Sequence, residues 1–290
     1  MTADRGMLTL VNMTTDDEET LSGGFSTIVT RRGNTVRRTA SLSTPTIHAL
    51  LRHLHASGFH QAPTPVGIDD RGREVLNYIE GTTAWWPWPQ ALRTDEGLRA
   101  VTALLNDLSA ALANFTPPED AVWHGHPHEH HDPLDGPAEG NGHALVVRHG
   151  DLGPWNTLWR YGELVALIDW DTAEPAPPGW DTAQAGWAFI PLRPMTGYRA
   201  VNPTLSSEEV QHRLVLWCQE TAVTPRRLFE LIKDVMTYER ERLVRLGEAG
   251  VEPYVSFLQR GDVEEFHLEQ GWRRANAERL IAAADAEIAG

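Results

Sequence analysis

Three side chains near the middle of the chain, Asp151, Asn156 and Asp169, have the types and spacing for metal-assisted group transfer. The first two lie in Val146-Val147-Arg148-His149-Gly150-Asp151-Leu152-Gly153-Pro154-Trp155-Asn156-Thr157-Leu158-Trp159. The third closes the run Leu164-Val165-Ala166-Leu167-Ile168-Asp169-Trp170-Asp171. Pro154 and the glycines make the first stretch a loop, and Val165 to Ile168 read as a buried strand that delivers Asp169 at its end. A loop Asp, an Asn five residues on and a strand-end Asp thirteen residues later can converge on one point. Oxygen donors of this kind suit Mg²⁺, which takes few protein carboxylates and completes its shell with water and phosphate. Asp151 then stands apart from the metal, placed to accept the proton of an acceptor hydroxyl.

The elements that must position these groups are of two kinds. Two short β-prone runs flank Gly33-Asn34, which marks a hairpin because both residues tolerate positive φ. Thr44-Pro45 opens a helix with Thr44 as its cap, Ile47, Leu50, Leu51 and Leu54 as its apolar stripe and Gly58 as its stop. A second hairpin joins 65–68 to 74–79. Glu80-Gly81 and Trp85-Trp86-Pro87-Trp88-Pro89 then mark a change of composition and a hinge. Beyond it Leu98, Val101, Leu104, Leu105, Leu108 and Leu112 keep a helical period. Residues 116–143, rich in Pro, Gly and His, read as a surface loop. The last third reads as helices at 206–221, 225–246 (Thr224 as cap, Gly247 beyond the end) and 262–289 (Asp262 as cap). The expected fold class is α+β, with a small β-rich lobe at 1–81 and a larger, mostly helical lobe at 82–290.

His149-Gly150-Asp151 with Asn156, followed by Ile168-Asp169-Trp170-Asp171, resembles the Brenner-type motif and metal-binding Asp of the aminoglycoside phosphotransferase/choline kinase family. These are small-molecule kinases with the protein-kinase-like fold. The resemblance implies Asp151 as catalytic base, Asn156 and Asp169 as Mg²⁺ ligands, His149 as support for the catalytic loop, and Asp171 as either an aid to the metal or a hydrogen-bonding support of that loop. Asp181, in Gly179-Trp180-Asp181, resembles the helix-start Asp that braces the loop backbone. It further implies an interlobe nucleotide site: Gly23, Gly24 and Ser26 over the phosphates, and Tyr78 and Ile79 beside the base of ATP or GTP.

One departure from the family stands out. The 25 basic residues include a single lysine, Lys233, far from the nucleotide lobe. Val36-Arg37-Arg38 occupies the strand of the family's lysine, with Arg38 the stand-in and Arg37 second. Alternate residues face opposite sides, so only one of the pair can line the cleft. The helix after it carries no Glu, and His48 is its nearest polar residue. The expected activity is transfer of the γ-phosphate of ATP or GTP to a hydroxyl of a small molecule, an aminoglycoside or another amine-bearing compound among the candidates. The alternative is a pseudokinase-like nucleotide or ligand binder, which the missing Lys and Glu motivate and the intact Asp151/Asn156/Asp169 set opposes.

Composition narrows the partners. The net charge of −15 disfavours nucleic acid, whose phosphates need a basic face. Residues 81–181 hold 15 acids against 4 arginines, so the excess surrounds the presumed site. Cys218, the only cysteine, reads as a buried small hydrophobe. No apolar run is long enough to span a bilayer, and a soluble cytoplasmic protein of unspecified oligomeric state is the expectation. His124, His126, His128, His130 and His131 read as a solvated tract that binds Ni²⁺ or Zn²⁺ adventitiously.

Overall fold

The computed structural model describes residues 18–21, 28–84, 88–124, 145–194 and 205–290. Gly23, Gly24, Ser26, Trp85, Trp86 and the tract from His126 to His131 lie outside the described residues. The first lobe is built from neighbouring hairpins: β1 (Glu19–Leu21), β2 (Val29–Arg32), β3 (Thr35–Thr39), β4 (Pro65–Ile68) and β5 (Arg73–Asn77). They form one antiparallel sheet in the order β1-β2-β3-β5-β4. Gly33 adopts φ +60 in the two-residue turn between β2 and β3, the left-handed backbone that a tight hairpin needs. The β3–β5 register sets Arg38 directly opposite Glu74 and Val36 opposite Leu76.

Helix α1 (Thr44–Ala56) follows β3 and buries Ile47, Leu50, Leu51 and Leu54, the stripe its sequence marks. Its cap differs by one residue from expectation. Ser43 precedes the helix, and the Thr44 hydroxyl instead accepts the Ser41 N–H at 2.9 Å, tightening the turn ahead of it.

Two small sheets open the second lobe. β6 (Thr82–Thr83) pairs with β8 (Thr157–Arg160), which pairs with β9 (Glu163–Leu167); β7 (Val146–Arg148) pairs with β10 (Glu174–Ala176). The helices are α2 (Asp95–Leu112), α3 (Trp180–Phe189), α4 (Ser207–Thr221), α5 (Pro225–Glu248), α6 (Tyr254–Arg260) and α7 (Asp262–Ala289). Their core joins Leu98, Val101 and Leu104 of α2 to Leu214 and Trp217 of α4 and Leu228, Ile232 and Val235 of α5, all essentially buried. A Ser206/Glu209 capping box starts α4, and the Thr224 hydroxyl caps α5. α5 runs through Gly247 to Glu248, because packing against Leu258 of α6 holds a glycine there inside the helix. Asp262 is the first residue of α7 rather than its cap; its buried carboxylate takes Arg260 at 2.8 and 2.7 Å instead. Cys218 is buried, which pushes its thiol up to about 12. Among the described residues no helix is long and apolar enough to cross a membrane.

Candidate active site

The chain leaves β7 at Arg148 and turns through His149, Gly150 and Asp151. Gly150 has φ +83, and a Cβ there would lie 2.2 Å from the Thr172 carbonyl oxygen, so the turn admits only glycine. His149 is fully buried, donates from Nε2 to the Ile168 carbonyl at 3.0 Å, and accepts the Asp151 N–H on Nδ1 at 3.2 Å. Burial lowers its imidazole to about 4, so it is a neutral strut with a fixed tautomer. Asp181, in the first turn of α3, accepts the His149 N–H at 2.7 Å and the Gly150 N–H at 3.2 Å. Burial raises its carboxyl, and these two backbone bonds oppose that rise. Gln184 of α3 donates to the Gly150 carbonyl at 3.1 Å, and the Thr172 hydroxyl donates to that of His149 at 3.2 Å. The loop's own backbone groups are thereby satisfied by side chains of two other segments.

Beneath the loop lies a buried cluster of two arginines and two glutamates. Arg148 donates to Glu174 through Nε at 3.1 Å and to Glu239 through Nη2 at 2.5 Å. Arg242 donates to Glu174 at 3.2 Å and pairs with Glu239 at 2.8 Å; the Tyr238 hydroxyl donates to Glu174 at 2.8 Å. These pairs tie the strand that enters the catalytic turn to α5. Sequence inspection missed them because 26 residues separate Arg148 from Glu174 and 91 separate it from Glu239.

A one-turn helix at 154–156 places Asn156 behind Asp151. The Asn156 amide donates to the Asp151 carbonyl at 2.8 Å and to its carboxylate Oδ2 at 2.9 Å. The Ile168 N–H donates to the Asn156 carbonyl at 2.9 Å, joining the loop to the strand end that carries Asp169. The Trp155 indole N–H donates to Asp151 Oδ1 at 3.1 Å. Desolvation, with the Asp169 charge second, pushes the Asp151 carboxyl up to about 7 against the pull of Trp155 and Asn156. That value suits a general base at neutral pH. Asp169 holds a left-handed backbone (φ 65, ψ 66), uncommon outside glycine and of the kind that collects at functional sites.

Arg38 reaches this point from the other lobe. Its guanidinium donates to Asp169 at 3.1 Å and to Asp171 at 2.5 Å, and it pairs with Glu74 through Nε. Glu74 also accepts from His48 Nε2 at 3.0 Å. The partner carboxylate that α1 lacks is thus supplied by β5, one strand away. Burial lifts the Asp171 carboxyl to about 6 against the pull of Arg38. Arg37 lies on the opposite face, bonded to Thr35 at 2.9 Å and 3.8 Å from Asp69. Of the two arginines, Arg38, the first choice from the strand spacing, is the one that meets Asp169 and Asp171.

Tyr78 and Ile79 line a cleft of about 590 Å³ together with Arg31, His55, His60 and Arg160, and none of Arg38, Asp151, Asn156 or Asp169 borders it. Of the described nucleotide-lobe candidates, Arg38 lies at the carboxylates, Tyr78 and Ile79 line this polar cleft, and Arg37 lies at neither.

The donor set at the carboxylates fits a hard cation. Asn156 spends its amide N–H groups on Asp151, which leaves its Oδ1 for a cation. Asp169 keeps a side chain 47% exposed beside it. Oxygen donors in this number match Mg²⁺.

Residues 126–202, which carry Asp151, Asn156, Asp169, Asp171 and Asp181, match the phosphotransferase enzyme family APH. A curated relative, the trifolitoxin immunity protein of Rhizobium leguminosarum bv. trifolii, is 41% identical over 175 residues. That match covers 59% of this chain and spans 62% of the relative's length. An aminoglycoside phosphotransferase crystallised with ADP superposes with a TM-score of 0.55 at 12% identity, over 89% of this chain and 94% of its own. A thermostable mutant of another, in ternary complex with ADP and hygromycin B, gives 0.52 at 17%, over 92% and 94%. The chain has the protein-kinase-like fold and resembles the aminoglycoside phosphotransferase/choline kinase-like family that its motifs implied.

Proposed function

We propose that the chain is a small-molecule kinase that transfers the γ-phosphate of ATP, or of GTP, to a hydroxyl of a small acceptor with Mg²⁺ as cofactor. One observation carries the reading: the desolvated Asp151 carboxylate is held by the Asn156 amide and the Trp155 indole in a turn that the Ile168 N–H joins to the strand end carrying Asp169. Asn156 and Asp169 would hold Mg²⁺, whose charge would neutralise the triphosphate when bound. Asp151 orients the acceptor hydroxyl and takes its proton as oxygen attacks the γ-phosphorus in line, while the bond from that phosphorus to the β–γ bridging oxygen breaks and ADP or GDP leaves. Arg38 aims a planar pair of donors at the same point and can clamp phosphate oxygens; Glu74 and His48 fix its orientation. The motif match over residues 126–202 and the nucleotide-bound neighbours support the reading. A complete Asp151/Asn156/Asp169 set and a rebuilt Arg38–Glu74 pair weigh against a pseudokinase. The test is ADP release over a panel of hydroxylated amines, sugars and antibiotics with ATP and with GTP, using Asp151→Asn as the blank. Turnover with one acceptor that vanishes in the blank supports the proposal; nucleotide binding with no release for any acceptor in a single-turnover assay supports the binder.

The relative named for immunity to a toxin favours a second reading about the acceptor. In it the acceptor is itself toxic and phosphorylation disarms it. Cells carrying the chain would then survive that compound, and cells carrying Asp151→Asn would not. Equal protection by both would assign protection to binding alone.

A further inference from the structure

The cleft at the hinge contains a pair of imidazoles that the phosphotransfer reading leaves unused. His55 lies in the last turn of α1 and His60 follows four residues after its end, beyond Gly58, whose φ of +87 turns the chain back. Their Nδ1 atoms share a hydrogen bond of 3.3 Å, whose proton a bound ion would displace. Two Zn–N bonds of about 2.0–2.1 Å at a tetrahedral angle place their nitrogens about 3.3–3.4 Å apart, so the separation equals the bite of one ion. The other nitrogen of His55 is committed: Nε2 lies 3.0 Å from the Ala62 carbonyl, 3.1 Å from the Thr64 hydroxyl and 3.3 Å from the Pro63 carbonyl. A ring N–H held by a backbone carbonyl is the usual outer contact of a metal-bound histidine, because it fixes the tautomer whose other nitrogen carries the lone pair. The end of a helix adds a negative potential that favours a cation there. His60 is exposed, and both residues border the 590 Å³ cleft, which leaves room for water in the remaining coordination positions.

We propose that His55 and His60 form a binding site for a divalent transition ion of the Zn²⁺ class, chelated through both Nδ1 atoms and completed by water from the cleft. Soft-to-borderline metals prefer imidazole, whereas Mg²⁺ prefers the oxygens of Asn156 and Asp169, so the two sites select different ions. An ion at this position would pin the end of α1 to the segment leading into β4, within the cleft that Tyr78 and Ile79 share.

The test is Zn²⁺ titration of the full-length chain by calorimetry in excess Mg²⁺, which occupies the oxygen site. His124, His126, His128, His130 and His131 are first replaced by Gln to silence the tract. The expected result is one saturable equivalent of Zn²⁺ that weakens at least about tenfold in His60→Gln and in His55→Gln. The imidazole ¹H–¹⁵N signals of these two residues alone should shift on metal addition. Exposed His60 is the safer variant for folding, and an unchanged melting curve without metal confirms that it is intact. No saturable uptake, or uptake that His60→Gln weakens by less than tenfold, overturns the proposal whatever the fate of the kinase reading.

Discussion

The two sides of the interlobe junction are built by opposite means. On the helical side, Asp151 is fixed by bonds to Asn156, Trp155 and His149, all within five positions along the chain, and then braced by Asp181. On the sheet side, one arginine does the comparable job through partners 36, 131 and 133 residues away. The helical side concentrates its geometry in a local motif. The sheet side spreads it over strand register. The helical side should therefore tolerate substitution worst for chemistry, and the sheet side should fail mainly in binding the nucleotide.

The largest expected effect is at Asp151. Asp151→Asn should lower transfer by about 10²–10⁴-fold, the usual contribution of a general base, with nucleotide affinity little changed. Rapid-quench phosphate transfer beside equilibrium nucleotide binding separates the two. The same variant carries a stability prediction of fixed sign. The Asp151 carboxyl rises from 3.8 to about 7 on folding, so its stabilising protonated form is fully present below pH 3.8 and lost as pH climbs toward 7. At pH 7 and above, Asp151→Asn should be more stable than the parent chain by about 4 kcal/mol, and the gap should close toward pH 4. Melting temperatures across that range check it; a gap that widens on acidification contradicts the account.

Asp181→Ala comes next. It leaves two backbone N–H groups of the catalytic turn without a partner, which should cost about 2–4 kcal/mol in denaturant unfolding and lower kcat with it. On the sheet side, Glu74→Gln should spare the catalytic turn. It frees Arg38 from its orienting partner and should raise the nucleotide KM by about tenfold with a smaller change in kcat. A kcat loss as large as that of Asp181→Ala would erase the contrast between the two sides. The smallest effect belongs to Trp155→Phe, which removes one neutral donor to Asp151 and should lower kcat by about three- to tenfold without loss of fold.

The same contrast explains what could be read from the residues alone. The stripe Ile47, Leu50, Leu51, Leu54 and the Gly33-Asn34 turn were legible because helix period and turn chemistry are local. The grouping of Asp151 with Asn156 was legible for the same reason. Glu74 was not, since nothing in its neighbourhood announces that β5 will lie beside β3 with Glu74 opposite Arg38. The Arg148–Glu174–Glu239–Arg242 cluster is hidden in the same way, each member reading as an ordinary surface charge until folding buries Arg148, Glu174 and Arg242 and half-buries Glu239. Helix α6 was missed because its seven residues are too few to establish a period. Asp262 reads as a cap because a buried helix-start Asp paired with an exposed arginine two residues earlier is indistinguishable in sequence from a capping Asp.

The central claim is that Asp151 activates the acceptor while Asn156 and Asp169 serve the metal. The most direct measurement is single-turnover transfer from γ-labelled ATP to an acceptor found in the panel, followed against pH in the parent chain and in Asp151→Asn. The account predicts that transfer in the parent rises with pH through an apparent pKa near 7, and that the variant loses both the rate and this inflection. An Asp151→Asn chain that transfers phosphate at the parental rate with the same inflection would contradict it.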